Sequence, residues 1–283
     1  MSKVICFALL LFTFSFVVAQ ENCYNGIDDN GNGLTDLNDP ECACFGIVTQ
    51  YIDVSEKIPN NDFETMDCCP HAISMVSSCL TNWVAPTHGT PDYQNTCNFV
   101  MAAAYQGDIH PFPSGNGVVG MICAPQWREY ITACLTSPIE AGKSYEFRIK
   151  VAFTPLLMSS NYPLAPNPPG YPAVTFSLFG NTTNCGGLDL NGTTCPPVLS
   201  NLWSEVSSMI VVPSNIWTTY IMRFTPGADI LSITFGPGCN VPENYRTAPI
   251  TPYFWIDDMA LYEIEDGGEL EADYSGHPCQ GNL

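Results

Sequence analysis

Between residues 144 and 154 every second side chain is apolar. Tyr145, Phe147, Ile149, Val151 and Phe153 fall on one side, and Glu146, Arg148 and Lys150 on the other. A period of two belongs to a half-buried strand, because successive side chains of an extended chain point to opposite faces. Residues 216–224 alternate in the same way, 229–235 follow a Pro226-Gly227 turn, and 253–264 form another long strand pattern. Shorter strands are expected at 47–54, 99–105, 118–123, 127–135, 173–179 and 207–212. No segment keeps a 3.6-residue period beyond two turns, and the proline-rich stretch 161–171 reads as an ordered or extended loop. The pattern predicts an all-β chain, an antiparallel β-sandwich of jelly-roll type over 45–265.

Charge narrows the function classes. The chain has 28 Asp and Glu against 8 Lys and Arg, a formal charge of −20. Nucleic-acid binding needs cations that replace counterions on phosphates, so it is excluded here. Residues 1–19 read as a secretory leader: Ser2-Lys3, an apolar run from Val4 to Val18, then Ala19. The run is shorter than the ~20 residues of a membrane span, so no span is expected in the mature chain, which reads as secreted or cell-surface attached and as held by disulfides rather than by ion pairs.

Thirteen cysteines remain after Cys6, an odd number that in an exported chain reads as a disulfide framework. Cys23 is expected to pair with Cys42 or Cys44. Cys185 and Cys195 lie beside the sequons at Asn181 and Asn191 and would staple a protruding hairpin. Cys279 is then left for a covalent partner or a further domain. Zinc at Cys68-Cys69-Pro70-His71 is disfavoured, because no second ligand pair follows at finger spacing.

Residues 20–44 hold a specific ligand ladder. From Asp28 as position 1, Asn30 and Asn32 take positions 3 and 5, and Gly33 takes the sharp turn at 6. Leu34 offers its carbonyl at 7, and Asp36 and Asp39 stand at 9 and 12. Alternating oxygen donors around a tight turn suit Ca2+, which takes six to eight oxygens in a flexible shell. Asp replaces the usual Glu at position 12, and no helix pattern flanks the loop, so its expected role is structural. The acidic residues 266–283 read as a tail or as the start of a further domain.

The stretch from Glu21 to Cys42 resembles the short acidic calcium-loop motif of secreted bacterial surface proteins, notably those of gliding bacteria with type IX secretion. Asn60-Asn61-Asp62-Phe63-Glu64 and Tyr253-Phe254-Trp255-Ile256-Asp257-Asp258-Met259 are similar to the first and last strands of carbohydrate-binding-module-like (galactose-binding-like) jelly rolls. That resemblance implies a non-catalytic module. It also implies a structural calcium between the end strands, with Asp62 and Glu64 meeting Asp257 or Asp258. The residues supply a separate reason: two carboxylates interrupt an aromatic strand, and a buried carboxylate needs a partner or a metal.

Sugar recognition by such modules uses aromatic faces. Trp83 and Tyr93, in turn-rich sequence, and Trp127 are the candidate platforms, against the ordinary fate of sandwich aromatics as core. Neither a nucleophile elbow nor a zinc-protease histidine pair is present. The expected function is therefore surface adhesion or carbohydrate binding, with an extracellular glycan or surface protein as partner. The alternatives are a structural subunit of an extracellular assembly and the accessory module of a secreted hydrolase.

Overall fold

The computed structural model describes residues 28, 31, 49–98, 109–157, 170–183, 190, 192–245 and 250–266. The chain divides into two compact units, one of residues 51–265 and the other of 1–50 with 266–283. In the second of these, the Gly31 N–H donates to Asp28 Oδ1 at 2.7 Å, with Gly31 at φ +74. The expected leader, the remaining loop ligands and Cys279 lie outside the described residues.

The strands are β1 (Thr49–Asp53), β2 (Trp83–Val84), β3 (Asp92–Asn95), β4 (Gly117–Ala124), β5 (Trp127–Arg128), β6 (Ile131–Ile139) and β7 (Ser144–Phe153). They continue with β8 (Leu156–Leu157), β9 (Val174–Asn181), β10 (Trp203–Val211), β11 (Thr218–Phe224), β12 (Ile230–Pro237), β13 (Ile250–Thr251) and β14 (Tyr253–Asp266). One sheet runs β11-β7-β14-β4-β3, with β1 along β14 and β5 along β4. A second runs β10-β9-β12-β6-β2, and β13 pairs with β8. The strand registers among the described residues are antiparallel, as in β7 with β11, where Tyr145 faces Phe224. The chain passes repeatedly between the two large sheets, which is the jelly-roll form of an antiparallel sandwich. Among the described residues they are accompanied by two short α-helices, α1 (Val76–Cys79) and α2 (Pro196–Leu199), and one 3-10 turn, Ser55–Lys57.

The period-two reading of β7 holds: Tyr145, Phe147, Ile149, Val151 and Phe153 are buried in the central core. Opposite them lie Phe176 and Leu178 of β9, Ile233 and Phe235 of β12, and Ile131 and Ala133 of β6. In β14 the inward set shifts parity, from Phe254 and Ile256 to Met259 and Leu261. An irregularity between Asp257 and Ala260 absorbs the odd step, with Asp258 at φ +52. β2 and β3 escaped the sequence reading. β3 is buried at all four positions, so it has no alternation to detect.

Each sheet also carries an outer layer. Ile109, Phe112, Val118, Ala152, Leu156, Tyr253 and Trp255 form a second apolar cluster on the first sheet. There the Tyr253 hydroxyl donates to Asp92 Oδ2 at 2.5 Å, and it crosses directly over Gly120, where an added Cβ would lie 2.2 Å from that hydroxyl oxygen. Gly120→Ala is therefore expected to displace Tyr253 and cost about 2–3 kcal/mol in urea unfolding. Tyr253→Phe, which keeps Gly120 but drops the hydroxyl, should cost less.

Disulfides join Cys68 to Cys79, Cys69 to Cys97 and Cys195 to Cys239. The Cys185–Cys195 staple is thus corrected. Cys195 precedes α2 and packs with Tyr130, Phe179, Leu190 and Trp203 on the outside of the second sheet, where Cys239 arrives just beyond β12. Cys23, Cys42, Cys44 and Cys185 lie outside the described residues. Asn181 of the first sequon is fully buried and its Oδ1 accepts from the Thr183 N–H and hydroxyl, so the folded chain does not present it for attachment.

Candidate functional site

Two of the three expected aromatic platforms are interior. Trp83 is 1% exposed, donates its indole N–H to the carbonyls of Pro59 and Asn60, and meets Phe63 edge-on at 5.5 Å. Tyr93 is fully buried, and its hydroxyl donates to the Phe63 carbonyl at 3.0 Å. Neither ring has a face to offer a sugar, because turn-rich sequence around them packs back onto the core. Trp127 is partly exposed and donates its indole N–H to Glu129 Oε1 at 3.0 Å.

Glu129 is itself 1% exposed. Its Oε1 also accepts from the Thr90 N–H and hydroxyl, and its Oε2 from the Ile122 N–H at 2.7 Å. Burial, and next the Asp92 carboxylate, push Glu129 up to about 7, while those donors pull the other way. This group ties the Thr90 turn, β4 and β5 together.

The end-strand acids do gather, in part. Asp257 is fully buried, and among the described residues its oxygens accept from the backbone N–H groups of Ser114 and Asp258 alone, at 2.9 and 2.7 Å. Glu64 Oε1 accepts from the N–H groups of Asn116 and Gly117 at 2.7 and 2.6 Å. One turn, Ser114 to Gly117, thus binds both carboxylates. Burial pushes Asp257 up to about 8, and the charges of Asp258 and Glu64 add to it. Asp62 Oδ1 accepts from the Glu64 N–H at 3.3 Å. Asp258 departs from this group: its carboxylate pairs with Lys150 at 3.0 Å. Among the described residues no three His, Cys, Asp or Glu side chains are grouped as a metal site, so an ion beside Glu64 and Asp257 would need carbonyl and water oxygens as well.

An open surface lies elsewhere, where β1, β14, β7 and β11 turn their outer side to solvent. The Tyr51 and Tyr262 rings stand edge to face at 6.4 Å, and the Arg148 guanidinium lies 4.4 Å from the Tyr262 centroid and 5.6 Å from that of Tyr51. Beneath them is Glu146, with its side chain 1% exposed. Its Oε1 accepts from Arg148 Nε at 2.6 Å and its Oε2 from Arg223 Nε at 2.7 Å. Arg223 Nη2 donates to the Tyr51 hydroxyl at 3.1 Å. Burial pushes the Glu146 carboxyl up, but the two guanidiniums outweigh it and hold it below the usual carboxylate range. Aromatic and guanidinium groups are thereby fixed on a rigid sheet face. The sequence reading missed this face, although Glu146, Arg148 and Lys150 were already its polar side. The missing information was the register, which sets Arg223 opposite Glu146.

No family model matches the chain, and no curated protein matches it. Among solved structures, a family 4 carbohydrate-binding module is 12% identical, at a TM-score of 0.35, covering 73% of this chain and 99% of that one. The CBM22-1 xylan-binding domain of a Paenibacillus barcinonensis protein is 8% identical, at a TM-score of 0.34, covering 66% and 88%. A CBM29-2 variant complexed with mannohexaose is 10% identical, at a TM-score of 0.33, covering 76% and 92%.

Proposed function

We propose that the protein is an extracellular, non-catalytic jelly roll that binds glycans at the cell surface through the Tyr51–Tyr262–Arg148–Arg223 face. The observation that carries this reading is Glu146, a buried carboxylate spent on holding two guanidiniums beside two tyrosines. Pyranose rings stack on aromatic faces while their hydroxyls take fixed polar partners. A face preorganised in this way loses little entropy on binding. Three disulfides and the leader-like start support an oxidising compartment, and among the described residues no helix is long and apolar enough to cross a membrane. We assign calcium a structural role, held at the loop from Asp28 to Asp39 and by Glu64, Asp62 and Asp257.

A glycan array probed with the native chain and with Tyr262→Ala tests the glycan reading. The native protein should bind a defined set of saccharides, and the variant should bind them at least about tenfold more weakly, at an unchanged melting temperature. Retention of all binding by the variant would move the site away from this face.

A second reading, a structural subunit of an extracellular assembly, is favoured by the exposed apolar side chains Ile210, Val212 and Ile216 around the end of β10 and the connection to β11. That reading predicts concentration-dependent association in sedimentation and no saccharide binding.

A further inference from the structure

The open face is the place where a very acidic chain collects its cations. Of 8 Lys and Arg, three stand side by side on the outward side of β7 and β11: Arg148, Lys150 and Arg223. The register places Arg223 opposite Glu146, Ile221 opposite Arg148 and Thr219 opposite Lys150. These cations face the carboxylates of Glu146 and Asp258, with Asp53 two positions from Tyr51 on β1, so in a chain of −20 the face stands out by its share of cations. Both guanidiniums are oriented from below by one buried carboxylate, while the Arg223 side chain is 64% exposed and that of Arg148 36%. Nη1 of each guanidinium makes no bond among the described residues. A planar guanidinium held by its Nε edge keeps donors for a second, planar acceptor, and a carboxylate matches that fork where a neutral hydroxyl does not.

We propose that this face recognises a saccharide bearing an isolated carboxylate, a uronate residue, with the tyrosines against the sugar ring and the arginines on its carboxyl group. This rests on the glycan-binding reading and specifies its ligand. The acid must be isolated, because the acidic groups that flank the face repel every further charge of a polyanion that comes within the ~8 Å screening length of them.

Calorimetric titration with a glucuronate-substituted oligosaccharide and with the same oligosaccharide after reduction of its carboxyl group tests the proposal. The carboxylate form is expected to bind about tenfold or more tightly than the reduced form, a gap of about 1.4 kcal/mol. Arg223→Lys, which keeps the charge and loses the fork, should narrow the gap, and Arg223→Gln should narrow it further. Melting curves of both variants establish that they fold. Equal affinity for the two forms overturns the carboxylate specificity and leaves glycan binding standing; binding of neither form overturns both.

Discussion

Between about pH 5 and about pH 8 the protein is expected to lose about 2–3 kcal/mol of folding stability through Glu129 alone. Its carboxyl titrates near 4.5 in the unfolded chain and at about 7 in the folded one. The folded state therefore holds the proton more tightly than the unfolded state across this window. Stability from that proton is fully present below the unfolded value and disappears as pH rises through about 7. The direction is opposite to that of a salt-bridged carboxylate, because burial and Asp92 dominate over the four donors around Glu129. Urea unfolding at both pH values, on the native chain and on Glu129→Gln, isolates the effect, since other titrating groups cancel in the difference. The native chain should lose more than the variant. Equal losses would mean that Glu129 stays ionised throughout.

Removing calcium is expected to produce the other large effect. A ligand bound only by the folded state stabilises it by RT ln(1 + [L]/Kd), about 2.7 kcal/mol at a hundredfold excess over Kd. For a domain of this size chelation should lower the melting temperature by roughly 5–10 °C. Asp257 gives the reason: its carboxylate is fully buried, and among the described residues its oxygens accept backbone N–H groups alone. Ionising a carboxyl buried there is costly without a partner, which is why its titration is pushed up, and a divalent ion beside Glu64 would offset that cost. Asp257→Asn removes the charge and keeps the shape, so it should melt at nearly the same temperature with and without chelator, apart from any share contributed by the Asp28–Asp39 loop. A native chain that purifies without calcium and ignores chelator would dismiss this assignment.

How much of this the sequence disclosed depends on geometry. Strands with one face wet were legible, because their alternation is written in the residues, as in Tyr145 to Phe153. The meeting of Glu64 and Asp257 at one turn was implied by the resemblance of residues 60–64 and 253–259, although residues 60–64 form a turn and not a strand. β3 was not, being buried on both faces, and neither was the Cys195–Cys239 bridge, which depends on where β12 delivers its end. Trp83 and Tyr93 misled for a related reason: turn chemistry shows that the chain bends, not which way a ring then points. The Tyr51–Tyr262 face needed cross-strand register, because its members come from four strands spread over more than two hundred positions.

Amide chemical-shift mapping during titration with a saccharide that the native protein binds locates the site directly. Shifts centred on Tyr51, Glu146, Arg148, Arg223 and Tyr262 are predicted. Shifts centred instead on Trp127 and Glu129, or on the far side of the second sheet, would contradict the assignment.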